Sequence, residues 1–302
     1  MHSSNDDLTK YLNPSIVSKL SSFELKARMI VEGFLLGLHR SPYHGFSIEF
    51  SQHRPYMQGD ALKDIDWKVY GKTDRFFVKQ YEEETNLKCH ILLDISKSMT
   101  YASDKQISKL EYSSLLAGSL SYLLLKQKDA VGICLYADKI IKNLPPKASN
   151  IYLRELLLAL NKIEPSNKTN TAEALNLYAE NIKRKGMVII ISDFFDEPEK
   201  VYSAIKHFAF KKHEVIVFQI LDPYERNFSF GRDSIFVDLE SGEEITTQPH
   251  QIQKAYKEAM HEFTSGLKNE CLNNGIEYNL IDTSMSFDKA LFAYLQKRSR
   301  IY

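Results

Sequence analysis

Oxygen-bearing side chains follow two apolar segments of this sequence, in an arrangement that could bind a cation. The first segment leads into Asp94, and Ser96 and Ser98 follow at alternate positions. The second segment, residues 189–192, leads into Asp193. Magnesium prefers oxygen ligands and usually keeps some of its waters, so a few such side chains are enough to hold it. By itself, the Asp-x-Ser-x-Ser pattern fits either a cation-binding loop or an ordinary polar turn between a strand and a helix.

Strand and helix patterns alternate from about residue 87 onward. Continuous apolar runs predict strands that are buried on both faces, at residues 89–94, 130–136, 187–193, 214–220 and 276–281. Helical stretches lie between them, at about residues 106–127, 150–162, 171–184, 198–210 and 251–273, with a last one near 287–298. This alternation predicts an α/β fold, a doubly wound and mostly parallel sheet of Rossmann type with helices on both faces.

The loops that carry the oxygen atoms are expected to meet at one edge of this sheet. Ligands of open parallel sheets bind beyond the carboxyl ends of the strands, near the point where strand order reverses. Asp94 and Asp193 each end a predicted strand, and a loop that lies between them in the sequence, residues 168–175, supplies Thr169 and Thr171. The agreement of three loops favours the cation site over the plain turn.

The segment from about Leu87 to the C-terminus resembles a von Willebrand factor A domain with its metal-ion-dependent adhesion site. The matching residues are Asp94, Ser96 and Ser98 on the first loop, Thr169 on the second and Asp193 on the third. The resemblance implies that Mg²⁺ or Mn²⁺ contacts the serines and the threonine, that the aspartates act directly or through water, and that a partner's carboxylate completes the shell. Thr171 is a rival for the threonine role, but we expect it to be a helix N-cap.

A second resemblance covers residues 33–99 and identifies the bacterial family known as domain of unknown function 58. It rests on the segments Glu32-Gly33, Gly37, His39-Arg40-Ser41, Arg54-Pro55-Tyr56, Gly59-Asp60, Ile65-Asp66-Trp67, Val78-Lys79 and Glu82 to Glu84. Members are often encoded with MoxR-type AAA+ ATPases, so the resemblance implies such an ATPase as the partner in assembling or activating other proteins. Many members have N-terminal membrane helices, which this sequence lacks.

The residues before the alternating pattern predict a smaller module. Apolar positions from Ile16 to Phe34 recur at helical spacing, and β-type patterns follow at residues 46–50 and 76–81. We therefore divide the chain into an N-terminal helix plus β-strand module, residues 1–86, and a von Willebrand factor A-like domain, residues 87–302. Trp67 is expected to pack the module onto the sheet domain.

Composition and charge exclude several kinds of protein. The 39 Lys and Arg residues balance 39 Asp and Glu residues, so there is no overall positive charge to attract nucleic acid. The longest leucine-rich stretch is shorter than a membrane helix requires, and the polar N-terminus does not resemble a signal peptide. The three cysteines form no pair typical of zinc or redox sites. We expect a cytoplasmic protein with no direct membrane insertion.

Three functions remain open. The first is a non-enzymatic, metal-dependent protein-binding module. The second is a magnesium-dependent phosphotransferase of the haloacid dehalogenase type with Asp94 as nucleophile. That family carries a second aspartate two residues later, where this sequence has Ser96, which cannot shuttle a proton at neutral pH. The third is a scaffold that binds partners without metal. We favour the first.

Overall fold

The centre of the molecule is a six-stranded sheet flanked by helices. The structure is a computed structural model, and it describes residues 8–40, 53–56, 67–79, 87–103, 106–166, 170–230, 234–237, 244–247 and 249–298. The sheet strands are β3 (Lys88–Asp94), β4 (Ala130–Tyr136), β5 (Ile140–Lys147), β6 (Met187–Ser192), β7 (Glu214–Leu221) and β10 (Glu277–Asp282). Their order is β10-β7-β6-β3-β4-β5, and all pairs are parallel except β4 with β5. The predicted α/β fold with a mostly parallel sheet is confirmed.

The strand order creates a switch point at the middle of the sheet. From β3 the chain moves outward to β4 and β5 and then returns to place β6 on the other side of β3. The register pairs Leu93 of β3 with Ile191 of β6, so the two strands end side by side. Their carboxyl ends therefore face a crevice of the kind in which doubly wound folds bind ligands.

Helices cover both faces of the sheet. They are α1 (Pro14–Val17), α2 (Phe23–Arg40), α3 (Trp67–Thr73), α4 (Lys109–Lys126), α5 (Asn150–Asn161), α6 (Thr171–Asn181), α7 (Pro198–Phe210), α8 (Pro223–Asn227), α9 (Pro249–Asn273) and α10 (Phe287–Arg298). Alternate residues of each central strand point to opposite faces, so Ile91 and Leu93 join one apolar core and Leu92 joins the other. The first core is shared with α2, α4, α5 and α10, and the second with α6, α7 and α9.

The N-terminal helix is interrupted, contrary to the single amphipathic helix predicted from Ile16 to Phe34. Asn13 caps the short helix α1, whose Ser15 N–H donates to the asparagine side chain at 3.0 Å, and α2 begins only at Phe23. Helix α2 nevertheless buries Ile30 and Val31 in the core that includes α4. This helix therefore packs directly on the sheet domain.

The remaining N-terminal predictions have mixed outcomes. Strand β1 (His53–Pro55) pairs antiparallel with β2 (Phe77–Lys79), so the second predicted β segment is present, while residues 46–50 lie outside the described residues. The prediction for Trp67 is wrong, because its side chain is 60% exposed and contacts the neighbouring Tyr70 edge to face.

Several elements were not predicted. Strand β5, the antiparallel edge strand, contains two prolines and lies mostly exposed. The hairpin of β8 (Ser234–Val237) and β9 (Glu244–Thr247) is inserted between β7 and α9. Strand β1 and the helices α3 and α8 were not predicted either. Within the described ranges, no helix combines the length and the apolar character needed to cross a membrane.

Candidate metal centre

Asp94 lies at the carboxyl end of β3 and is almost completely buried. One of its oxygens accepts a hydrogen bond from the backbone N–H of Ser96 at 2.8 Å, which closes the turn after the strand. The other accepts from the hydroxyl of Ser192 at 2.6 Å. The carboxylate is therefore held from two directions, because each oxygen has a fixed donor.

The two serines of the first loop present their hydroxyl groups together. Ser96 Oγ and Ser98 Oγ lie 3.1 Å apart, and Ser96 is fully buried while Ser98 is partly exposed. A short 3₁₀ helix, Lys97–Thr100, follows β3 and turns both hydroxyls to the same side. Adjacent ligands of an octahedral magnesium ion, each about 2.1 Å from the metal, stand about 3.0 Å apart. The hydroxyl pair has the spacing of two neighbouring ligands.

Asp193 lies directly after β6 and is also almost completely buried. Its Oδ1 accepts from the backbone N–H of Phe195 at 3.1 Å. Between them, Phe194 has a φ of 60°, a left-handed conformation that bulky residues rarely adopt. The N–H of Phe194 donates to Ser192 Oγ at 2.8 Å and fixes this turn. Strained backbone of this kind is typical of functional loops.

Contacts between the three predicted loops tie them into one site. Ser166 bridges Ser96, and its N–H donates to the carbonyl of Ile95 at 2.9 Å, so the residue that precedes the second loop lies against the first loop. Asp196 of the third loop accepts from the backbone N–H of Thr171 at 2.9 Å. The structure therefore brings together Asp94, Ser96, Ser98 and Asp193, whereas Thr169 lies outside the described residues.

Thr171 does not have the capping role predicted for it. The N-cap of α6 is Asn170, whose side chain accepts from the N–H of Glu173 at 3.3 Å, and Thr171 is the first helical residue. The Thr171 hydroxyl is buried and has no hydrogen-bond partner among the described residues. Asparagine is as good a cap as threonine, and the sequence offers both at adjacent positions.

Lys109, which was not among the residues predicted from the sequence, contacts Asp193 directly. Lys109 is the first residue of α4 and is fully buried. Its ammonium group lies 2.8 Å from Asp193 Oδ2 and 2.6 Å from Glu225 Oε1. It also lies 4.8 Å from the centre of the Phe195 ring. A lysine as the first residue of a helix was the available signal, because cations are disfavoured at helix N-termini.

Glu225 connects this ion pair to the loop after β7. It belongs to the capping box of α8, in which its Oε2 accepts from the N–H of Asp222 at 2.8 Å. Asp222 is fully buried and accepts from both the N–H and the hydroxyl of Ser103, at 2.9 and 3.0 Å. A fourth loop therefore borders the site and contributes two further carboxylates.

The electrostatics of the site are dominated by buried negative charge. Burial, together with the charge of Asp193, raises the pKa of Asp94 to about 6. Burial also raises the pKa of Glu225. Burial alone would lower the pKa of Lys109, but the charges of Asp193 and Glu225 outweigh it and raise that pKa. An added cation would relieve the repulsion that raises the pKa of Asp94.

A second Asp-x-Ser-x-Ser segment, residues 282–286, provides an internal comparison. It too follows a strand of the main sheet, and the N–H of Ser284 donates to Asp282 Oδ1 at 3.0 Å, as Ser96 does to Asp94. Here, however, Asp282 pairs with Arg226 at 3.1 Å, and the hydroxyl of Ser286 donates to the carbonyl of Leu12. The side chains of this segment therefore form an ion pair and a hydrogen bond with other parts of the fold, whereas the hydroxyls of Ser96 and Ser98 hydrogen-bond to each other.

The donor set determines which cations the site fits. Across the residues that the structure describes, no three His, Cys, Asp or Glu side chains form a cluster that could hold a metal. The side chains that meet at the ends of β3 and β6 instead offer hydroxyl and carboxylate oxygens. Such a set suits a hard cation such as Mg²⁺ or Mn²⁺ rather than zinc.

Comparisons with known proteins identify relatives over most of the chain. An uncharacterized protein of Mycobacterium tuberculosis is 24% identical over 233 residues, which is 76% of this chain and 73% of that protein. An uncharacterized protein of Mycobacterium bovis matches to the same extent.

Three solved structures are also similar to this chain. The conserved hypothetical protein BatB of Bacteroides thetaiotaomicron has 21% identity and a TM-score of 0.48, over 71% of this chain and 98% of that one. An aerotolerance-related membrane protein of Bacteroides fragilis has 24% identity and a TM-score of 0.45, over 70% and 99%. The SpRpn10 VWA domain has 12% identity and a TM-score of 0.40, over 69% and 94%. The α/β fold is assigned from the strand order of the sheet and does not depend on these similarities.

A match to a protein family also covers most of the chain. The family described as "Protein of unknown function DUF58" matches residues 52–265, well over half of the chain. This range includes both loops that carry Asp94 and Asp193, together with Lys109 and Glu225. The chain therefore belongs to the DUF58 family.

Proposed function

We propose that this protein is a metal-dependent protein-binding module that works without catalytic turnover. Ser96 and Ser98, with Thr169 from the second loop, would hold Mg²⁺ or Mn²⁺, and Asp94 and Asp193 would act directly or through water. The bound cation would supply a positive charge that attracts a carboxylate of a protein partner. No general acid or base is needed for this role.

The hydroxyl pair beside two buried aspartates carries this proposal. Ser96 Oγ and Ser98 Oγ lie 3.1 Å apart, the spacing expected of adjacent magnesium ligands. Because hydroxyls are neutral ligands, a cation held by them keeps most of its positive charge. An external carboxylate is then a favourable additional ligand. The matched segment at Asp282 has the same sequence pattern but uses its side chains internally.

A MoxR-type AAA+ ATPase is the partner that we propose, in the cytoplasm, and the assembly or activation of other proteins is the proposed outcome. The support is family membership, since such ATPases are often encoded beside members of this family. The balanced net charge also favours recognition at a local site over recognition by a general electrostatic field.

Metal binding by the full chain tests the first step. We expect a Mn²⁺ titration followed by electron paramagnetic resonance to show binding in the wild type. Asp94→Asn and Thr169→Ala should weaken it by about 10- to 100-fold, the usual loss when one group of a metal site is changed. Asp282→Asn is the matched control and should bind as the wild type does. Wild-type protein that binds no Mn²⁺ would refute the metal-dependent function.

Partner binding tests the second step. The purified MoxR-type ATPase of the same genome should bind the wild-type protein and the Asp282→Asn variant in the presence of magnesium. This binding should be lost when a chelator is added or when Asp94 is replaced by Asn. Binding that a chelator leaves unchanged would support the metal-independent scaffold instead. Turnover of p-nitrophenyl phosphate that Asp94→Asn abolishes would support the phosphotransferase alternative.

A further inference from the structure

Lys109 occupies a position that disfavours a cation in two ways. Its side chain is fully buried, and removing an ammonium group from water is costly. It is also the first residue of α4, where the helix dipole repels positive charge. A lysine that only packed the helix against the sheet could be replaced by an apolar residue at lower cost. We therefore expect the positive charge of Lys109 to have a function.

The contacts of Lys109 indicate what the charge does. The ammonium group pairs with Asp193 at 2.8 Å and with Glu225 at 2.6 Å, residues 84 and 116 positions away in the sequence. Asp94 at the end of β3 and Asp222 after β7 are also buried. Among the described residues, Lys109 is paired with Asp193 and Glu225. Lys109 therefore supplies positive charge next to Asp193, close to the position at which a bound metal ion would supply further positive charge.

We propose that Lys109 is an internal counter-ion that competes with the metal ion for the charge of Asp193. This inference rests on the proposed metal-binding function and adds its regulation. With Asp193 neutralised by Lys109, the site attracts a divalent cation less strongly. The cation is then held mainly by neutral hydroxyls, and it keeps the positive charge that a partner's carboxylate recognises. In this scheme Lys109 acts through its charge and does not contact the metal.

The alternative to this proposal is that Lys109 has a purely structural role. If Lys109 only held Asp193 in the geometry that the metal requires, its loss would disorder the third loop and weaken metal binding. If Lys109 competes with the metal, its loss frees negative charge within several ångströms of the cation and tightens binding. The two roles therefore predict opposite signs.

Mn²⁺ affinity measured by electron paramagnetic resonance separates the two roles. We expect Lys109→Met to bind Mn²⁺ on the order of tenfold more tightly than the wild type, from the removal of one unit charge a few ångströms away. Lys109→Arg keeps the charge and should stay within about threefold of the wild type. A Lys109→Met protein that is folded by circular dichroism but binds Mn²⁺ equally or more weakly would overturn the inference.

A second pair of variants covers the case in which Lys109→Met does not fold, since it leaves two carboxylates without their cation. Glu225→Gln removes one of these charges, so the double variant Lys109→Met/Glu225→Gln should bind Mn²⁺ more tightly than Glu225→Gln alone. Equal or weaker binding by the double variant would also overturn the inference.

The outcomes for the two proposals remain distinct. Binding by the wild type without tightening in the lysine variants removes the role of Lys109 and leaves the proposed function intact. Binding only after Lys109 is replaced means that Lys109 blocks the site, which supports the inference and removes the proposed function. If neither form binds Mn²⁺, both proposals fail.

Discussion

Ser192 Oγ lies 2.6 Å from Asp94 Oδ2 and links the ends of β3 and β6, although 98 residues separate the two in the sequence. The same hydroxyl accepts from the N–H of Phe194, which holds the left-handed turn before Phe195. One buried hydroxyl thus orients a predicted metal-site carboxylate and fixes the loop that carries the second one.

Replacing Ser192 with alanine should therefore affect both stability and metal binding. The loss of one hydrogen bond to a buried carboxylate and one to a buried N–H should lower the free energy of unfolding by about 1–3 kcal/mol. Mn²⁺ affinity should fall by about tenfold, as for other residues that orient metal ligands. Urea denaturation and Mn²⁺ titration measure the two effects.

Ser284→Ala is the control for this prediction. Ser284 Oγ donates to Asp282 Oδ1 at 2.5 Å in the second Asp-x-Ser-x-Ser segment, so its loss removes a similar hydrogen bond away from the site. Mn²⁺ affinity should not change. Equal losses of affinity in the two variants would mean that the effect of Ser192 is not specific to the site.

Metal binding should weaken on acidification at a higher pH than is usual for a carboxylate site. The pKa of Asp94 is raised to about 6 by burial and by Asp193, so a divalent cation must displace a proton below that pH. We expect Mn²⁺ affinity to be constant above pH 7 and to fall between pH 6 and 5, measured with the circular dichroism spectrum as a check on folding. Affinity that stays constant down to pH 5 would contradict the raised pKa.

Acid should destabilise the protein partly through His90. Burial lowers the pKa of His90 from 6.5 to about 4, and its Nδ1 lies 3.0 Å from the hydroxyl of Tyr178. Because the unfolded chain takes up the proton first, the stability contributed above pH 6.5 is lost as the pH falls towards 4. This loss amounts to up to about 2 kcal/mol between pH 7 and 5.

The contribution of His90 can be measured by comparing two variants. His90→Gln should show a smaller fall in melting temperature between pH 7 and 5 than the wild type. His261→Gln changes an exposed histidine of α9 and should show the same fall as the wild type. The assignment to His90 is wrong if both variants retain the full wild-type fall.

Two glycines of α2 should respond oppositely to alanine. A Cβ atom at Gly33 would lie 2.6 Å from the carbonyl oxygen of Leu8, whereas a Cβ atom at Gly37 would meet nothing within 4 Å. Gly33→Ala should lower the free energy of unfolding by about 1–3 kcal/mol through overpacking. Gly37→Ala should raise it by about 0.5–1 kcal/mol through helix propensity. Urea denaturation of both variants tests this, and effects of the same sign would contradict the packing of α2 on Leu8.

Much of the fold was predictable because its strands are locally distinctive. Runs such as Ile189 to Ile191 are apolar on both faces, which only a strand between two helical layers requires, and helices α7 and α10 begin and end where the pattern placed them. Strand β5 was missed because an exposed edge strand needs no such run and tolerates prolines. The break before α2 was missed because Ser18 to Ser22 keep the helical spacing of apolar residues on either side.

The candidate ligands Asp94, Ser96, Ser98, Thr169 and Asp193 could be predicted from the sequence, because carboxyl ends of parallel strands meet at one edge and short polar loops follow them. Tertiary structure alone decided that β6 lies beside β3, and hence that Ser192 reaches Asp94. It alone placed Lys109 against Asp193 and Glu225, since no local pattern records contacts between residues so far apart in the chain. The charge balance of the site depends on those contacts, because a buried charge is governed by the groups that surround it rather than by its sequence neighbours.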